Sequence, residues 1–375
     1  MFNLRPTKLE VDLNAVSFNI KTLKTLVGNK TEIMAVVKAN AYGHGAIEVS
    51  RVALKSGATK IAVATWEEGA ELREAQIDAP ILVLGFSSED DAEPIIYYNL
   101  TAAVGDFETA RKISQIARKY KKEVKVHINI DTGMSRLGIR ASESLPIIRK
   151  IVKLPGIFVE GIFTHFTSSG EKNKEPTYRQ FGLYMQIVSH LHKEGIHIPL
   201  RHVADSSALL DLPSTHLDMV RPGIAIYGEY PSKNVKNKVK LKPVSKLKTK
   251  IVSLRKLPSG SKIGYGGTYT VKKPSIIATI PVGYADGYSR ALSNKGEVLV
   301  KGKRAPIVGR VCMDHCMIDV THIKEVKLGE EVILWGKQGN ERISLAEIAE
   351  KIGTIVYEIV TMIDKKRVPK VFVQH

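Results

Sequence analysis

One lysine of this chain stands where a reactive amine could work. Lys38 closes the apolar run EIMAVVK (32–38), inside VVKANAYGHG (36–45). An ammonium partly withdrawn from water loses proton affinity, and the neutral amine can attack a carbonyl carbon to form a Schiff base. A lone lysine more often snorkels to solvent, so the reading depends on what stands opposite. Two later stretches, HVADSS (202–207) and RPGIAIYG (221–228), offer the Ser206 hydroxyl and backbone amides at Gly223 and Ile224 that can approach an anion closely. Pro222 has no amide and stiffens that turn. Ser206 also reads as a helix N-cap, a role compatible with an anion at the same place. Arg221 adds a permanent cation, and a structural ion pair is the competing reading for it.

These residues can act together only if the fold gathers them. Residues 30–230 alternate apolar runs with amphipathic stretches; the runs include KIAVA (60–64), PILVLG (80–85), LTAAVG (100–105), VKVHINI (124–130), VEGIFTH (159–165), PLRHVAD (199–205) and LDMVRPG (217–223). Such continuous β-branched runs suit strands buried on both faces. Helices are expected over 106–123, with Asp106 as N-cap, and over 175–195, ending on Gly195. Eight alternations fit a (β/α)8 barrel of the TIM type, with a doubly wound open sheet as the alternative. In such a barrel the chemistry gathers at the C-terminal ends of the strands, and phosphate is commonly bound after the seventh and eighth. Lys38 follows the first run, and Ser206 and Arg221 follow the seventh and eighth. A Schiff-base lysine facing a phosphate cradle points to pyridoxal 5'-phosphate. Arg221 beneath the pyridine nitrogen would keep that nitrogen unprotonated and the ring a weaker electron sink.

After Tyr230 the pattern changes. PSKNVKNKVKLKP (231–243) reads as a solvated linker, and the rest alternates like strands between Gly, Pro and Asn-containing turns. Only 343–353, with Ser344 as N-cap, reads as helical there. The expected division is a barrel over 12–235 and a mostly β domain over 236–375, with the strand of 1–11 packing on the latter.

Composition narrows the function classes. The chain has 375 residues, 43% hydrophobic and 25% charged, and lacks the run of about 18 apolar residues that would span a membrane. The opening MFNLRPTKLEVDLNAV has no apolar signal region, so no secretory leader is expected. Two cysteines build neither a disulfide framework nor a four-ligand metal site, and a reduced, cytoplasmic setting is expected. Cys312 and Cys316 read as buried thiols, Trp66 and Trp335 as packing residues, and His44 and His202 as structural rather than catalytic. The formal net charge is +18. Its densest run, 233–250, holds no aromatic residue for base stacking and matches no groove-reading motif, so nucleic acid is not an expected partner.

VVKANAYGHG, VRPGIAIYG (220–228), IGYGGTY (263–269), PVGYADGYSRALSN (281–294), VGRVCMDHCMIDV (308–320) and the ending TIVYEIVTMIDKKRVPKVF together resemble the alanine racemases. These are pyridoxal-phosphate enzymes with an N-terminal (β/α)8 barrel and a C-terminal β domain. The resemblance implies interconversion of L-alanine and D-alanine, supplying D-alanine for cell-wall peptidoglycan, by a homodimer with shared active sites. It implies that Lys38 binds the cofactor and serves as one base, with Tyr265 from the partner subunit as the other. Tyr42, Ser206, Gly223, Ile224 and Tyr357 would hold the phosphate. Arg221 would sit at the pyridine nitrogen, with His165 behind it. Arg136 and the partner's backbone at Met313 would take the substrate carboxylate. Racemisation calls for two groups, since a single fixed base returns the proton to the face it left.

Three positions depart from the family pattern. Asn129 stands where many members carry a carbamylated lysine beside the arginine of DTGMSRLG, so the resemblance leaves a slot between Asn129 and Arg136 for a small anion such as chloride or, as the alternative, a water. Asp205 stands where asparagine is usual, and Gly170 where an acid is common. A fold-related decarboxylase of basic amino acids and a non-catalytic cofactor-binding barrel are the competing functions. The match at IGYGGTY and VGRVCMDHCMIDV argues against the first, and the second domain against the other.

Overall fold

A computed structural model describes residues 5–85, 88, 90–364 and 366–374; the first four residues of the 1–11 stretch lie outside it. The chain forms two compact units. One comprises Ala15–Ala41 and Gly45–Lys242, the other Met1–Asn14, Tyr42–His44 and Pro243–His375.

The first unit is a barrel. Strands Glu32–Val36, Lys60–Val63, Ile81–Val83, Thr101–Val104, Val124–Asp131, Ile157–Phe163 and Leu200–His202 pair in that order, all parallel, and Met219–Val220 pairs with the other side of the first. Ile81–Val83 and Thr101–Val104 are buried throughout, as strands are when helices cover one face and side chains fill the other. The two end strands are tied by backbone bonds, Asp218 N–H to Arg201 O at 3.2 Å and Arg221 N–H to Ala204 O at 2.8 Å. The Arg201 side chain also donates to the Asp218 carboxylate at 2.7 Å. Little open edge remains.

Element ends differ from the sequence reading for local reasons. The helix expected over 106–123 spans Phe107–Lys119, with the Asp106 carboxylate accepting the Thr109 amide at 2.7 Å and Lys121 at positive φ beyond it. The helix expected over 175–195 is Glu175–Lys193, with Gly195 at φ 76°. The seventh and eighth strands are short because HVAD and RPG bend away into site loops. The eighth strand is followed by a 3-10 turn, Ile224–Tyr227, rather than an α-helix. A helix ahead of the first strand, Leu13–Val27, is tied to that turn: Asn19 Nδ2 donates to Ile226 O at 2.9 Å and to Lys242 O at 2.8 Å.

The second unit is mostly β. Its main sheet runs Lys303–Pro306, Glu297–Val300, Glu331–Gln338, Ser245–Lys250, Lys8–Asp12, Lys370–Val373, with Glu341–Ile343 branching from Glu331–Gln338. Lys8–Asp12 lies antiparallel to Ser245–Lys250, Leu9 opposite Leu247, and parallel to Lys370–Val373. Leu9 and Val11 are buried while their neighbours are half-buried, the period-2 signature of a one-faced strand. Trp335 is buried in this sheet, its indole donating to Ser245 Oγ at 3.3 Å. The expected helix is Leu345–Ile352, with the Glu347 amide donating to Ser344 Oγ at 3.1 Å. A second helix, Val356–Thr361, was not legible because its β-branched sequence favours strand locally.

Candidate active site

Lys38 follows the first barrel strand, and the chain then does something unusual for L-residues. Ala39, Asn40, Ala41 and Tyr42 all have φ between 51° and 54°, a left-handed helical turn that costs roughly 1–2 kcal/mol per residue. Four hydrogen bonds oppose that cost. The Glu68 carboxylate accepts the Ala39 amide at 2.6 Å and the Ala64 amide at 2.7 Å. Asn40 Oδ1 accepts the Ala46 amide at 2.9 Å, and Ala41 N–H reaches Val37 O at 2.7 Å. Strain of this kind survives where the surroundings over-determine it, which is common at functional sites. Burial first, then the positive charge of Arg136, lowers the proton affinity of Lys38; Glu68 opposes and Arg221 adds to the lowering. A neutral amine is therefore more accessible here than at a surface lysine.

Opposite, the Ser206 hydroxyl accepts amide hydrogens from Gly223 at 2.9 Å and Ala225 at 3.3 Å. Two backbone donors from the loop after the eighth strand thus converge on the hydroxyl oxygen itself, which leaves the Ser206 O–H free to act as a donor. Such a donor set suits a phosphate group. Ser206 does not cap the helix that follows. Asp205 caps the helix Ser206–Asp211, accepting the Ser207 and Ala208 amides at 2.9 Å, and takes the Ser169 hydroxyl at 2.8 Å. Its carboxylate is committed to these three donors, because the shorter Asx reach suits the amides two and three residues on.

Arg221 is buried. It donates to His202 Nδ1 at 2.9 Å and to three backbone carbonyls, His202 O at 2.7 Å, Thr164 O at 2.9 Å and Val203 O at 3.3 Å. His165 Nδ1 stands at 3.4 Å, the longest of these contacts, so His202 is its chief side-chain partner. Burial pushes Arg221 down to about 10, still a cation at neutral pH. His165 is held down to about 4 by burial, with Asp205 opposing and Arg221, Arg136 and Lys38 adding to the effect. Arg136 is exposed in the chain and follows a loop shaped by Asp131, whose Oδ1 accepts the Gly133 and Ser135 amides at 3.0 Å. The Asn129 side chain packs over Gly138, where an added Cβ would meet its Cγ at 3.1 Å.

The β unit carries the remaining candidates. Tyr265 sits at the tip of the hairpin Lys262–Ile263 and Tyr269–Thr270, flanked by Gly264, Gly266 and Gly267, all at positive φ. Its side chain is 72% exposed, and Met313 is 52% exposed. Gly283 packs against the loop holding Met313 so closely that a Cβ would lie 2.3 Å from the Cys312 and Met313 carbonyl oxygens. Cys316 is buried and Cys312 half-buried. Tyr42 and Tyr357 face each other with ring centroids 6.0 Å apart. Sequence reading missed Glu68, whose only signal was a place in the first turn of the helix after the second strand.

A barrel with an amine, a buried cation and an amide-lined hydroxyl at its strand ends, followed by a β unit, is the architecture of a barrel enzyme with its candidate site at the strand ends. The family profile "Alanine racemase, N-terminal domain" matches residues 11–231, and "Alanine racemase, C-terminal domain" matches 244–372. An alanine racemase of Halothermothrix orenii is 48% identical over 366 residues, 98% of this chain and 96% of that protein. The solved alanine racemase of Clostridium difficile superposes with a TM-score of 0.95 at 40% identity, covering 99% of this chain and 96% of that one. That of Bacillus anthracis with bound L-Ala-P gives 0.94 at 39%, covering 100% and 97%. The chain belongs to the alanine racemase family. No helix among the described residues is long and apolar enough to cross a membrane.

Proposed function

We propose that this chain interconverts L-alanine and D-alanine with pyridoxal 5'-phosphate, using Lys38 and Tyr265 on opposite faces of the substrate Cα. The observation that carries this reading is the convergence at the barrel strand ends: Lys38 stands within the fields of Arg136 and Arg221, and Ser206 gathers two amides of the RPGIA loop. Ser206, Gly223 and Ile224 would hold the phosphate, with Tyr42 and Tyr357 as its phenolic partners. The bound cofactor supplies an electron-withdrawing ring that acidifies the substrate Cα–H.

The protein's own groups do the rest. Lys38, its proton affinity lowered, takes or returns the Cα proton on one face. Tyr265 does so on the other, from a partner subunit; its exposure, with that of Met313, suits side chains that complete a site in a second copy. Arg221 would face the ring nitrogen as a donor and cation, with His165 beside it. Arg136 and the Met313 backbone orient the carboxylate. With Asn129 unable to carry a carbamate, a small anion, chloride above all, stands between Asn129 and Arg136. The product would serve cell-wall synthesis, and two free thiols suit a reducing cytoplasm.

Reduction of the holoenzyme with borohydride, followed by peptide sequencing, tests the assignment. The label is expected on Lys38, and label on another lysine would overturn it.

A further inference from the structure

Behind Arg221 a row of side chains continues into the barrel interior. His202 Nε2 lies 2.8 Å from His127 Nδ1, and His127 Nε2 lies 3.1 Å from Glu160 Oε2. Glu160 Oε1 takes the Lys125 ammonium at 2.7 Å. His127 and His202 are completely buried, and Glu160 is 7% exposed. Phe163 stacks on His202 at 4.9 Å and 9°, and an added Cβ at Gly161 would lie 2.5 Å from His127 Nδ1. The row is thus clamped sterically as well as by hydrogen bonds.

The two ends decide where every proton sits. Arg221 can only donate, and an ionised Glu160 can only accept. His202 Nδ1 must then be an acceptor, so its proton is on Nε2 and points at His127 Nδ1. His127 in turn carries its proton on Nε2, facing Glu160. A second proton on either ring would set two N–H groups against each other or against Arg221. The row therefore admits one arrangement, with both imidazoles neutral and both protonated on Nε2. Burial lowers the proton affinity of both rings, in accord with that arrangement.

We propose that Glu160 is a positioning residue for the reaction: acting through His127 and His202, it sets the polarity of the row that holds Arg221 as a fixed, charged donor beneath the ring. The functional consequence rests on the reading that Arg221 faces the cofactor, whereas the proton arrangement does not. Glu160→Leu removes the accepting end and lets both rings take the other tautomer, which would confront Arg221 with an N–H. Glu160→Gln restores an acceptor through its amide oxygen.

Two-bond ¹H–¹⁵N spectra of histidine-labelled, cofactor-free protein test the arrangement from about pH 5 to about pH 9. His127 and His202 should each show a single Nε2–H tautomer throughout. A cationic ring or an Nδ1–H form in the parent protein would overturn the proposal, whatever the variants do. Glu160→Leu should bring a second tautomer, and a kcat about tenfold lower with KM little changed, the size seen when a partner that orients another ligand is lost. Glu160→Gln should recover the single tautomer and most of kcat. Unchanged tautomers and kcat in Glu160→Leu would reject the role. Altered tautomers with unchanged kcat would keep the row and reject Arg221 as the group it serves.

Discussion

The Glu68 carboxylate accepts the Ala39 amide hydrogen at 2.6 Å, one residue past Lys38. The same carboxylate holds the Ala64 amide beyond the second strand, so one side chain joins the left-handed turn to its neighbouring loop. It also raises the proton affinity of Lys38 against the lowering by burial and Arg136. Glu68→Gln keeps an acceptor and removes the charge. The Lys38 midpoint should fall, read from the pH dependence of its modification in cofactor-free protein. A midpoint that stays or rises would show that Glu68 acts on the backbone alone.

Tyr265→Phe should lower racemisation about 10²–10⁴-fold, the usual worth of a positioned acid–base group. Exchange of the Cα proton with solvent deuterium should be lost mainly from L-alanine. Equal loss from both enantiomers would count against a division of labour with Lys38.

Mixing two inactive proteins, Lys38→Ala and Tyr265→Ala, tests shared sites. In a mixed dimer one site carries both lesions and the other neither, so part of the activity should return. No recovery, with subunit exchange shown separately, would mean that Tyr265 serves its own chain.

Acid should destabilise the protein in two ranges. His165 falls from 6.5 unfolded to about 4 folded, chiefly by burial; on acidification the unfolded chain takes the proton first, so stability present above 6.5 is lost toward about 4. Glu160 falls from 4.5 to about 2, chiefly through its bond to His127, so stability present above 4.5 is lost toward about 2. Denaturant titrations of His165→Gln should show a smaller loss between about pH 7 and about pH 5 than the parent protein. An identical loss would remove His165 from the account.

Chloride titration addresses the slot beside Arg136. Cofactor retention should rise with chloride beyond an ionic-strength control, and Asn129→Asp, which supplies a fixed negative charge, should blunt the response. A flat response in the parent protein would leave water as the filler.

Part of this protein is legible in the sequence alone. Buried β-branched runs alternating with amphipathic stretches specify strand–helix units because each pattern is local; they fit a barrel or an open sheet, and the barrel rule then selects Lys38, Ser206 and Arg221 by their places after strands. The caps at Asp106 and Ser344 are local too, and they appear where their residue types predict. What tertiary structure decided is how those residues are held. Nothing in Ala39, Ala41 or Tyr42 favours a left-handed turn; among the contacts that hold it, Glu68, 29 residues away, takes the Ala39 amide. Two amides of the RPGIA loop, 17 and 19 residues beyond Ser206, turned its hydroxyl into an acceptor, and the cap fell to Asp205. His202 and His127, 75 residues apart, meet only when parallel strands close a barrel. Local propensity cannot encode such pairings, because their energy arises from burying polar groups against partners that the chain supplies only once it is folded.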